Sequence, residues 1–123
     1  MTAGVRWVPS APPAHSPDVA FWVMSVYVGA LEFDLLLGDV RSLKQKRSVV
    51  RPLIAELRKR FEVSVSETGY QQLHRRAMIA IAMVGPDVDR VTGVLDGCER
   101  FVASRPETEL LSTRRRWLGP EDE

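Results

Sequence analysis

Six segments in the order β-α-β-β-α-β predict an α+β fold. The expected form is a ferredoxin-like sandwich, a four-stranded antiparallel sheet with two helices on one face. Two stretches, 42–61 and 86–102, repeat apolar residues every three or four positions, the period of a helix face. Of the four others, one is rich in β-branched and aromatic residues, one alternates apolar with polar, one is a continuous apolar run, and the last centres on Leu110 and Leu111. Right-handed crossovers through the two helices place the first and third strands in the middle.

The first strand is expected over residues 25–37, carried by Val26, Tyr27, Val28, Leu31, Phe33 and Leu35. Tyr27, Leu31, Phe33 and Leu35 share one parity and should face the helices. Glu32 and Asp34 share the other, so the second face is not expected to be a second core. Gly38 and Asp39 turn the chain towards Ser42. Ser42 and Gln45 have the spacing of a capping box, in which Ser42 Oγ accepts from the Gln45 N–H and Gln45 reaches back to the Ser42 N–H.

Behind the cap, Val49, Val50, Leu53, Ile54, Leu57 and Phe61 form one apolar stripe. The remaining face holds Lys44, Lys46, Arg47, Arg51, Arg58, Lys59 and Arg60, answered only by Glu56. Pro52 removes one backbone hydrogen bond and crowds the Ser48 carbonyl, so a continuous but kinked helix is expected.

Residues 62–68 alternate Val63 and Val65 with Ser64 and Ser66, a short amphipathic strand. A polar connection, 69–73, leads to the most apolar strand, 75–84, in which Ala77 to Val84 are all apolar. Gly85 and Pro86 open a second helix, with Asp87 and Asp89 at its positive end. Val88, Val91, Val94, Leu95, Cys98, Phe101 and Val102 form its expected buried stripe. Gly93 and Gly97 lie off that stripe and weaken the helix, as surface glycines do. Residues 107–116 make the last strand, followed by Trp117, Leu118 and the acidic tail Glu121-Asp122-Glu123.

Residues 1–23 carry Pro9, Pro12, Pro13 and Pro17 and read as a leader outside the domain at 24–118. Either the reading frame is over-extended upstream of Met24, or Trp7, Phe21 and Trp22 form a docking tail. No signal peptide is expected, and the apolar run 19–31 is too short for a membrane span. At 123 residues one domain is expected, and a formal net charge of +1 means that the protein as a whole is not a polycation. A nucleic-acid role therefore has to rest on where the charge sits. Cys98 is the only cysteine, which excludes an intrachain disulfide and suits a reducing cytoplasm. His15, His74 and Cys98 show no metal-ligand spacing, and no nucleotide loop or nucleophile elbow is present, so no cofactor is expected.

Several blocks resemble the small bacterial YlxP-like proteins, a family of unknown function. They are Gly29-Ala30-Leu31, Ser42-Leu43-Lys44-Gln45-Lys46-Arg47, residues 61–67 (Phe-Glu-Val-Ser-Val-Ser-Glu) and Leu73-His74-Arg75-Arg76-Ala77. The likeness spans about residues 24–116 and implies a ferredoxin-like fold. The family's genes often neighbour those of a translation initiation factor and a ribosome-binding factor, which implies a link to translation or ribosome maturation by association. Gln72 and His74 depart from the family pattern, which has an acidic residue and a tryptophan at those places.

The candidate anion-binding residues are Lys44, Lys46, Arg47 and Arg51 at the first helix, with His74, Arg75 and Arg76 before the third strand. Arg114-Arg115-Arg116-Trp117 is a further basic group, and arginine beside an aromatic suits single-stranded RNA. Glu67 is expected to hold its turn or pair with Arg75 or Arg76, and it makes no convincing acid–base pair with His74. The expected function is a non-enzymatic cytoplasmic module that binds RNA or a ribosomal assembly surface. The alternative is a homo-oligomeric interaction module, such as a homodimer, or a small-ligand-sensing one, using the open sheet face around Ala80 and Ala82.

Overall fold

The structure is a computed structural model that describes residues 26–119. The leader and the acidic tail lie outside the described residues. Six elements follow in order: β1 (Tyr27–Leu37), α1 (Leu43–Arg60), β2 (Ser64–Gly69), β3 (Arg76–Gly85), α2 (Val88–Ala103) and β4 (Thr108–Leu118). The sheet order is β2-β3-β1-β4, with every neighbouring pair antiparallel. This is the ferredoxin-like arrangement, with the first and third strands central as the crossover rule requires.

The pleat of β1 decides where the core sits. Leu31, Phe33, Leu35 and Leu37 are fully buried under the helices, while Glu32 and Asp34 point to the open face. In register with them, Ile81 lies opposite Leu31 and Ile79 opposite Phe33. Val50, Leu53 and Leu57 of α1 and Val91, Leu95, Cys98 and Val102 of α2 close the other side. Each such aliphatic or aromatic side chain contributes about 1.5–3 kcal/mol when withdrawn from water. Val88, expected in the α2 stripe, is instead 42% exposed, because it is the first residue of the helix and has no preceding turn to cover it.

The caps differ in one detail from the expected box. Ser42 Oγ accepts from the Gln45 N–H at 3.0 Å, as expected. Gln45 Oε1 accepts from Arg41 N–H at 2.6 Å, one residue earlier than Ser42. The helix then runs unbroken from Leu43 to Arg60 through Pro52. At α2, Asp87 caps the Arg90 N–H at 3.0 Å.

Two glycines show how tightly the elements meet. A Cβ on Gly29 would sit 2.7 Å from Val91 Cγ1 and 2.8 Å from Leu95 Cδ1, so these side chains would have to give way to it. Gly97 lies against the Phe61 ring, whereas Gly93 faces open space. No described helix is long and apolar enough to cross a membrane.

Candidate nucleic-acid interface

The start of α1 gathers positive charge for a reason visible in the backbone. Its first turn carries no acidic residue, so the uncapped N–H groups and the side chains add to one positive field. Lys44, Arg47 and Arg51 are spaced three and four apart, so they share one exposed helix face. Among the described residues none of the three has an ion pair or a side-chain hydrogen bond.

Lys46 does not belong to that face. Only 3% exposed, it is the one buried charged residue of the described chain. Positions 46, 50, 53 and 57 are spaced four, three and four, so Lys46 is the first member of the apolar stripe. Its ammonium donates to the Tyr70 carbonyl at 2.7 Å and lies 2.9 Å from Glu67 Oε2. The second contact is an ion pair without hydrogen-bond geometry, leaving Glu67 Oε2 buried with no directed donor. Glu67 therefore pairs with Lys46, and not with Arg75 or Arg76 as its sequence position suggested.

The connection after β2 is shaped to receive this lysine. The β2–β3 register shifts between Glu67 and Gly69. Tyr70 adopts φ 58°, in the left-handed region that glycine favours. Its carbonyl accepts from Leu73 N–H at 3.0 Å as well as from Lys46. The Arg76 guanidinium covers the Tyr70 ring at 4.5 Å from the centroid.

Two more of the cations expected to bind an anion brace the fold. Arg76 grips both carboxylate oxygens of Asp34 at 2.8 Å, a bond that raises its already high pKa. Arg75 donates through Nε to the Leu37 and Gly38 carbonyls, each at 3.1 Å, and so holds the β1–α1 turn. His74 is exposed and without a side-chain partner among the described residues. It makes no contact with Glu67, so the two form no acid–base pair.

The last basic group is divided by the strand pleat. Arg115 turns under the sheet to Asp96 at 2.9 Å and Glu99 at 3.3 Å on α2. Arg114 and Arg116 flank Glu32 on the open face, each at 3.9 Å. Trp117 packs towards Gly29 on the helix side. Arg114 and Arg116 thus lie on the face opposite Trp117, while Arg115 is committed to carboxylates. The group makes no joint stacking platform.

A cleft of about 300 Å³ lies between α1 and the β2–β3 connection. Arg47 and Arg51 form its rim, Val50 and Ile54 its apolar wall, and Glu67 with Gln72 the opposite side. Sequence reasoning missed it because β2 and α1 meet there only after folding. A neighbouring depression shares Arg51, Ile54 and Glu67 and runs towards Arg58, which caps the Val65 carbonyl at 2.8 Å. No group of three or more metal-ligating side chains occurs among the described residues.

With this geometry in view, the sequence can be placed among known ones. The pattern of the family described as "Protein of unknown function (DUF503)" matches residues 28–115. The chain belongs to the DUF503 family. A relative in Bacillus subtilis (strain 168), "Uncharacterized protein YlxP", is 33% identical over 91 residues, which cover 74% of this chain and 99% of the relative. The DUF503 match begins in β1 and ends in β4, so it includes the sheet, both helices and the α1 cleft.

Proposed function

We propose that this DUF503 protein is a non-enzymatic module that contacts the phosphates of RNA, free or on a ribosomal assembly surface, through the first half of α1. One observation carries the reading. Most arginines and lysines of the described chain are held by a carboxylate or a backbone carbonyl, yet Lys44, Arg47 and Arg51 stand together without either. Like charges at three and four residues repel on an isolated helix, and an anionic partner removes that cost. Lys46 and Arg76 are left out of the proposed contact because each is paired with a carboxylate, and Arg75 because its Nε is spent on the Leu37 and Gly38 carbonyls.

The test is affinity for single-stranded RNA measured across salt concentrations. Three phosphate contacts should give a slope of log K against log salt of about −2. Arg47→Glu with Arg51→Glu should abolish most of the binding, while Arg75→Ala should leave the slope unchanged. Affinity indifferent to salt would remove the proposal.

A second reading, a homodimer through the open sheet face, is supported by a different feature. Ala30, Ala80 and Ala82 form its low centre, with Val84 62% exposed beside them. The charges on this face, Glu32 with Arg114 and Arg116, answer one another within the chain, so an apolar centre is left for a two-fold contact. Sedimentation at high concentration should show a dimer weakened by Ala82→Arg; a strict monomer would eliminate this reading.

A further inference from the structure

We infer that the α1 cleft takes a single nucleotide, its phosphate on Arg47 and Arg51 and its base between the apolar wall and Gln72. This rests on the reading of the α1 cations as phosphate contacts and names the ligand more closely. The cleft, at about 300 Å³, has the size of a small-molecule site and exceeds what an inorganic phosphate fills.

Its floor is fixed in advance. The Lys46 side chain is 4% exposed and is tethered to both the β2 carboxylate and the Tyr70 carbonyl. That double tether ties α1 to the β2–β3 connection and sets the width of the cleft. Arg47 and Arg51, one helical turn apart, have five donors each and no internal carboxylate to claim them among the described residues. Leu43, Val50 and Ile54 add an apolar surface on which a planar ring can lie.

The opposite wall separates a nucleotide from other anions. Glu67 uses Oε2 against Lys46, and no group of the described chain donates to its Oε1. Gln72 has no side-chain partner among the described residues and presents both a donor and an acceptor. A free carboxylate acceptor calls for an N–H donor on the ligand, which a base edge provides and a phosphate does not. A phosphate joined to a hydrogen-bonding ring satisfies both walls.

The experiment is a titration of the full chain with the four nucleoside monophosphates, followed by backbone-amide NMR. The corresponding nucleosides, inorganic phosphate and a glutamate-rich peptide serve as comparison probes. At least one monophosphate should bind about tenfold or more tightly than its nucleoside or phosphate, with shifts centred on Arg47, Arg51 and Gln72. Arg47→Ala with Arg51→Ala should lose about tenfold or more while the circular dichroism is unchanged. Gln72→Ala should weaken the monophosphate without altering inorganic phosphate.

Monophosphates no tighter than phosphate, or a peptide that binds best, would overturn the cleft assignment. Salt-dependent RNA binding through Arg47 and Arg51 would then still stand. Monophosphate binding without RNA binding would do the reverse, removing the RNA reading and leaving a nucleotide site.

Discussion

Replacing Glu67 with alanine should cost this protein more stability than the loss of an ordinary surface charge does. The mutation strips the carboxylate from a lysine whose side chain is 4% exposed, leaving only the Tyr70 carbonyl at 2.7 Å. Breaking a fully buried pair costs about 3–5 kcal/mol. Glu67 is itself 25% exposed, so water screens part of the attraction and about 2 kcal/mol is expected here. With a urea m-value of about 1 kcal/mol/M, the unfolding midpoint should fall by about 2 M. Lys46→Met fills the same slot with an apolar chain and lets Glu67 turn to water, so it should cost no more than about 1 kcal/mol. Combining the two should recover most of the loss, giving a coupling of about 1 kcal/mol or more in a double-mutant cycle. Urea denaturation of the four proteins measures this. A Glu67→Ala midpoint within about 0.5 M of the parent, or a Lys46→Met protein less stable than Glu67→Ala, would refute the burial argument.

Two further outcomes follow from packing, and a third from burial. Gly29→Ala forces a methyl into Val91 and Leu95 and should lower stability by about 2 kcal/mol, or about 10 °C in thermal melting. Gly93→Ala meets nothing within 4 Å and should raise stability by about 0.5–1 kcal/mol; a loss would mean that this side of α2 is covered. Burial pushes the Cys98 thiol up from 9.0 to about 11. The unfolded chain therefore loses this proton first. The contribution is complete below about pH 9 and is lost as pH rises towards 11, by about 2–3 kcal/mol. Stability against pH, compared between the parent and Cys98→Ala, should show that extra fall in the parent alone. Parallel curves would contradict it.

The periodicities of this chain were sufficient for its architecture. Leu31, Phe33 and Leu35 alternate with Glu32 and Asp34, and that parity survives folding because a strand has only two faces. The stripe of Val50, Leu53 and Leu57 likewise fixes which side of α1 meets the sheet. The site was less legible. Lys44, Arg47 and Arg51 could be assigned to one exposed face from spacing alone. Lys46 could not, because its charge argues for solvent while its place four residues before Val50 argues for the core. The spacing was the signal, and the side-chain type concealed it. Arg75 and Arg76 look alike in sequence, yet one holds a turn and the other a carboxylate 42 residues away.

By itself, then, the amino-acid order determined the element sequence, the sheet order and the apolar faces. These follow from local period and chain chirality, which need no knowledge of distant partners. Only the tertiary structure decided which cations are free. That depends on whether a carboxylate or carbonyl from another element arrives within about 3 Å, and the register shift at Glu67 and the φ of Tyr70 bring both to Lys46. Charge is written residue by residue, but its availability to a ligand is set by the neighbours that folding supplies.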